Sequence, residues 1–234
     1  MTVQGGQGLM SGRRKSSYPY ADPFSPEERA GIVDAIAIGI RRLRAAGKIG
    51  ATSSETDITQ ELIDELNSML DEEPPIVAEF SSGNLETVIR GNELCSYNKA
   101  KIEKRPDMVI RPSGHQPTGV HRAYSGLFVE CKVVDAGHTM DDYCGRGLRR
   151  FLEGEYAWAM PFGMMLGYAR SNYQLPGQLQ THLQKYPRYD LIGTIAVDPA
   201  GKPNVHVTVH TRGWKHVSGD DPGDLCIEHL WCTI

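Results

Sequence analysis

The stretch GLFVECKVV, residues 126 to 134, is apolar enough to form a buried strand, yet it carries Glu130 and Lys132 near its centre. A charge in such a place costs several kcal/mol unless it is paired or holds a metal. Side chains alternate across a strand, so Leu127, Val129, Cys131 and Val133 share one face, and Phe128, Glu130, Lys132 and Val134 share the other. Glu130 and Lys132 therefore point the same way, roughly 7 Å apart along the strand. Cys131 falls on the opposite face and reads as core packing rather than as a nucleophile.

Around this segment the hydrophobic spacing predicts a mixed α and β chain. Ser25-Pro26-Glu27-Glu28 reads as a helix start, with Ser25 as cap, Pro26 at the first position and Glu28 completing a capping box. Ile32, Ile36, Ile40 and Leu43 recur at helical spacing up to Gly47. Arg41, Arg42, Arg44 and Lys48 give this helix a basic end. Ile58, Leu62, Leu66 and Met69 mark a second helix that Pro74-Pro75 ends. IVAEF (76–80) looks like a short strand, and DMVIR (107–111) and GLFVECKVV are the clearest ones. Leu148, Phe151, Leu152, Glu155, Tyr156 and Ala159 fit a helix ended or kinked by Pro161. GMMLGYA reads as a buried strand, GQLQTHLQKY as a helix, and IGTIAV, NVHVTVHT and DLCIEHLWCTI as further strands. The fold class expected is α/β, one domain around a central mixed sheet flanked by helices, over residues 25–234. Residues 1–24, rich in Gly, Ser and Pro, read as a flexible lead-in.

Composition narrows the setting. Five scattered cysteines with no CxxC pair argue against a disulfide framework or a zinc ribbon and suit a cytoplasmic protein. Neither a signal-peptide core nor a run of about 18 apolar residues is present, so no membrane partner is expected. The net charge of −4 does not advertise nucleic acid, although clustered bases around a cation-holding site are compatible with it. His206 and His210 share a strand face and His229 lies in the last strand, but no cysteine stands at zinc-ligand spacing.

If DMVIR neighbours GLFVECKVV, Asp107 brings a second carboxylate to Glu130. Two carboxylates, a lysine and a hard cation such as Mg²⁺ suit the hydrolysis of a phosphodiester. The cation would neutralise the phosphate and lower the pKa of its water, and the lysine would orient the nucleophile and offset developing charge. Pro106-Asp107 is the only PD in the chain, and Glu130-Cys131-Lys132 the only acid-x-Lys. Together they resemble the signature of the PD-(D/E)xK nuclease superfamily, the restriction-endonuclease-like fold, with a motif-bearing core at about residues 55–170.

The resemblance implies an Mg²⁺-dependent nuclease, with Mn²⁺ able to substitute, that acts on DNA in a bacterial defence or restriction setting. Asp107 and Glu130 would be metal ligands and Lys132 the catalytic lysine. A homodimer or a partner subunit would help select the target. Members of the superfamily often add an acid from the preceding helix; Glu61 is preferred here, with Glu65 and Glu79 as alternatives. Lys104 and Arg105 ahead of Asp107, and Arg146, Arg149 and Arg150 after the lysine strand, are candidates for contact with the nucleic-acid backbone. Salt bridging to Glu153 or Glu155 is the competing role for the last three. The reading from a different class is a catalytically silent nucleic-acid-binding or scaffold subunit on the same fold.

Overall fold

The computed structural model describes residues 20–101, 104–114, 121–170, 177–192, 196–197 and 205–234. Two helices lead. In α1 (Pro26–Ala45) the Ser25 hydroxyl accepts the Glu28 N–H, and the Glu28 carboxylate accepts the Ser25 N–H in return, the expected capping box. α2 (Glu55–Leu70) is capped by Ser54, which accepts the Asp57 N–H at 3.1 Å. Ile32, Ile36, Ile40 and Leu43 of α1 and Ile58, Leu62, Leu66 and Met69 of α2 are all buried. The basic end of α1 is tied back by Arg42, which pairs with Glu65 at 3.2 Å and Glu72 at 2.5 Å.

The strands are β1 (Met108–Ile110), β2 (Leu127–Val134), β3 (Phe162–Ala169), β4 (Ala196–Val197), β5 (Val205–His210) and β6 (Leu225–Thr233). They form one mixed sheet in the order β1-β2-β3-β6-β5-β4. β2 pairs antiparallel to β1 and parallel to β3, β3 pairs parallel to β6, and β5 and β4 close the far edge antiparallel. A parallel β2–β3 pair needs a crossover. Met140–Asp142 (α3), a π-helical turn over Tyr143–Leu148, and Arg149–Leu152 (α4) supply it, and α5 (Gly177–Lys185) follows β3.

Each face of the sheet has its own core. Leu127, Val129, Cys131 and Val133 pack with α1 and α2, whereas Phe128 and Val134 pack with Tyr143, Leu148 and Phe151 of the crossover. The alternation read from GLFVECKVV is thus the alternation between two cores, with Glu130 and Lys132 on the crossover's side.

Three expectations need correction. IVAEF is not a strand: it is turn and bend, with Ile76 40% exposed and the Phe80 N–H closing on the Val77 carbonyl at 2.9 Å. Its apolar residues follow Pro74-Pro75 and find no partner strand. The crossover helix ends at Leu152, because Gly154 at φ +64° turns the chain; residues 153 to 161 are turns, so Tyr156 and Ala159 are not helical. The lead-in does not extend to residue 24. The Tyr20 N–H donates to the Ala159 carbonyl at 3.0 Å and Phe24 is buried, while residues 1–19 lie outside the described part. Among the described residues no helix is long and apolar enough to cross a membrane.

Candidate active site

β1 covers only the first half of β2, since Met108 to Ile110 pair with Val129 to Leu127. Beyond Val129 the β1 side of β2 is an open edge, and its N–H groups need acceptors from elsewhere. Two carboxylates provide them. Asp107 Oδ2 accepts the Cys131 N–H at 2.7 Å, and Glu55 Oε2 accepts the Val133 N–H at 3.0 Å. One acid comes from the residue leading into β1, the other from the first turn of α2. Both are fixed side by side along the edge by the backbone pattern that a longer β1 would have used.

The Lys132 ammonium lies among these acids. Its Nζ is 2.9 Å from Glu55 Oε1, 3.0 Å from Glu130 Oε1, 3.7 Å from Asp107 Oδ2 and 2.6 Å from the Cys131 carbonyl oxygen. Glu130 is fully buried. Its Oε2 accepts a hydrogen bond from the Tyr156 hydroxyl, and its Oε1 lies 3.0 Å from Arg150 Nη1. Although two cations stand 3.0 Å from Oε1, neither offers it an aligned N–H, so this buried oxygen lacks a proper hydrogen bond.

Burial sets the electrostatics. It pushes the Glu130 carboxyl up to about 7, and the Asp107 charge adds to that; Lys132, Arg150 and the Tyr156 hydroxyl act in the other direction. Asp107 is also raised, by burial first, against the pull of Lys132 and the Cys131 N–H. For Lys132 burial disfavours the ammonium, but Glu130, Asp107 and Glu55 outweigh it and raise the group above its ordinary value. Lysine is therefore charged, while Glu130 sits near the balance between its two forms.

Asp107, Glu130 and Lys132 thus meet, although 22 residues of chain lie between the first two. Glu61, the preferred helix acid, does not join them. It is 40% exposed and 3.7 Å from Lys48, one and a half turns further along α2. Glu65 pairs with Arg42, and the Glu79 stem packs against Gly31. The acid that arrives is Glu55, which sequence reasoning missed. The signal was in the spacing: 55, 59, 62, 66 and 69 continue the inward stripe of α2 to its N-terminus, with Thr59 buried against the Tyr168 hydroxyl at 3.0 Å.

Of the five basic candidates only Arg150 reaches the cluster. Lys104 pairs with Glu155 at 3.3 Å, Arg105 with Glu93, Arg146 with Asp142 at 3.2 Å and Arg149 with Glu153 at 2.5 Å. Tyr156, expected only as part of a helix stripe, is fully buried and is also the hydroxyl partner of Glu130.

The donors Asp107, Glu130, Glu55 and the Cys131 carbonyl are hard oxygens, the type Mg²⁺ takes, and the underbonded Glu130 Oε1 is where another cation would be welcome. The carboxylates are drawn round the ammonium, and among the described residues no group of three or more His, Cys, Asp or Glu forms a metal cage. In donor chemistry the site fits a hard divalent ion. No family model, curated protein or solved structure matches the chain.

Proposed function

We propose that the protein is a metal-dependent nuclease of the PD-(D/E)xK type, on a restriction-endonuclease-like fold, that hydrolyses phosphodiester bonds of DNA. The observation that carries this reading is the convergence of Asp107, Glu130 and Lys132 from two neighbouring strands at the open edge of β2. In this reading Asp107 and Glu130, joined by Glu55, hold Mg²⁺ or Mn²⁺. The bound ion would supply charge neutralisation for the phosphate and a water of lowered pKa. Lys132, released in part from its carboxylates, places its ammonium beside the attacking water and the developing negative charge. Arg150, 39% exposed on its side chain, keeps Glu130 in position from one side and has nitrogens left to face a phosphate oxygen. Tyr156 holds the other carboxylate oxygen.

The test is incubation of the protein with supercoiled plasmid, linear duplex, single-stranded DNA and RNA, each with Mg²⁺, Mn²⁺ or EDTA. The isosteric Asp107→Asn variant and Lys132→Ala are run beside it. Divalent-dependent cutting, reduced at least about 100-fold in both variants, is the expected result, and the substrate cut names the substrate. A silent binding subunit would retain DNA affinity without cutting. Absence of both cutting and any rise in melting temperature with divalent ions would overturn the metal site itself.

A further inference from the structure

At the other end of β1 from Asp107, a cleft of about 530 Å³ opens between the C-terminal end of α2 and the chain flanking β1, lined among others by Ser82, Glu86, Thr87, Arg111, Ser113 and Arg122. Its charges are unequal in their bonding. Arg122 is paired with Glu86, and both are accounted for. Arg111 is half-buried, and its Nε donates to the Arg122 carbonyl at 3.3 Å, yet among the described residues no carboxylate lies within 4.0 Å of its guanidinium. Burial and the neighbouring Arg122 both lower its pKa, and the nearby Glu86 charge offsets this only in part. Asp71 and Glu86 also line the cleft, but Glu86 is already paired with Arg122 and neither acid lies within ion-pair distance of Arg111, so this half-buried guanidinium is only partly compensated. Around it the hydroxyls of Ser82, Thr87 and Ser113 make no hydrogen bond to a described protein group. One partly compensated cation and three solvent-exposed hydroxyls with no partner among the described residues, in one concave place, make a recognition set for a tetrahedral oxyanion.

We propose that this cleft binds a phosphate group, with the Arg111 guanidinium as its principal ligand. The phosphate has two sources with the same chemistry, a free phosphate compound or the backbone of a nucleic-acid strand. The second source rests on the nuclease reading. Arg111 follows Asp107 by four extended residues, roughly 13 Å, which is about two backbone phosphates along a strand, so the cleft would hold the substrate away from the bond being cut.

The decisive experiment is calorimetric titration of the whole protein in excess EDTA, where no cutting is expected, with inorganic phosphate and with a short single-stranded DNA. Arg111→Met keeps the aliphatic stem and removes the charge. Ser113→Glu leaves the arginine in place, sets a carboxylate on the exposed rim, and decides the matter if Arg111→Met does not fold. Binding of either probe at least about tenfold weaker in the variants than in the parent supports the site, and the probe affected names the source. Equal binding by parent and variants, or no binding of either probe, overturns it. Cutting is scored separately. A parent that cuts but binds neither probe removes the cleft alone, and a parent that binds through Arg111 but cuts under no ion removes the catalytic reading alone.

Discussion

Glu130 is caught between the charges that want it ionised and the burial that wants it neutral, and its titration shows which prevails. Its ordinary value is 4.5 and in the fold it rises to about 7. Between those values the folded protein keeps a proton that the unfolded chain has released, so this group stabilises the fold at low pH and its contribution is lost as pH rises through 7. Denaturant unfolding at pH 5 and pH 8 should show about 2–3 kcal/mol lost over the window from this residue. Glu130→Gln, with no proton to lose, should flatten that part of the profile. A proton and a divalent ion compete for the same oxygens, so the rise in melting temperature caused by Mg²⁺ should be larger at pH 8 than at pH 6. Glu55 makes a complementary case. Glu55→Ala removes the acceptor of the Val133 N–H and one partner of Lys132, and should cost about 2–3 kcal/mol with cutting reduced. Glu61→Ala, at the helix acid preferred from the sequence but solvated in the fold, should change neither by a measurable amount.

At the scale of elements, the site depends on two that stop early. β1 ends its pairing at Val129 and so leaves the β2 edge to carboxylates, and α4 ends at Leu152 so that a turn can swing Tyr156 under Glu130. Gly154 makes that turn. Its φ is +64°, and a Cβ there would stand 2.7 Å from the Trp214 ring and 2.8 Å from the Tyr97 ring, which are stacked on each other with centroids 3.9 Å apart. Gly154→Ala should therefore cost about 2–4 kcal/mol from backbone strain and overpacking together, read as a lowered denaturant midpoint with cutting impaired as Tyr156 shifts. The sequence made the long elements legible because each carries its own periodicity and caps: the 25–28 capping box, the two helix stripes and the alternation of GLFVECKVV all lie within one stretch of chain. Asp107, Glu130 and Lys132 were legible because buried charges in strands demand a reason. Glu55, Tyr156 and Arg150's pairing were not. What recruits Glu55 is a missing length of β1, and what recruits Tyr156 is a glycine turn, both of which act through tertiary contacts that no local pattern records.

Across the whole molecule a buried polar chain stitches the crossover to the far half of the sheet. Tyr143 of the π turn lies 3.0 Å from His229 Nδ1 on β6, and His229 Nε2 lies 2.8 Å from the Thr208 hydroxyl on β5. Thr208 is 2.7 Å from His210 Nε2, and His210 Nδ1 is 2.6 Å from the Tyr189 carbonyl. That carbonyl can only accept, so His210 carries its proton on Nδ1 and takes the Thr208 hydroxyl proton at Nε2. Thr208 must then accept from His229 Nε2, so His229 Nδ1 is an acceptor and shares the single Tyr143 hydroxyl proton with the Met165 carbonyl, 3.2 Å from that hydroxyl. The protons of both histidines and of Thr208 are assigned from one end, and the assignment holds only while both imidazoles are neutral. Burial lowers both histidines, His229 the more strongly, with His210 and His206 adding to the effect on His229. The sign is opposite to that of Glu130. Here the unfolded state takes up protons first, so stability is present above the ordinary 6.5 of histidine and is lost as pH falls below it. A Glu130→Gln protein, with the competing carboxyl removed, should therefore lose stability steadily from pH 7 to pH 5. Adding Thr208→Val, which breaks the chain at its shared hydroxyl, should cost about 1–3 kcal/mol at pH 7.5. If instead the double variant matched Glu130→Gln at pH 7.5, Thr208 would not be the joint on which the two histidines depend.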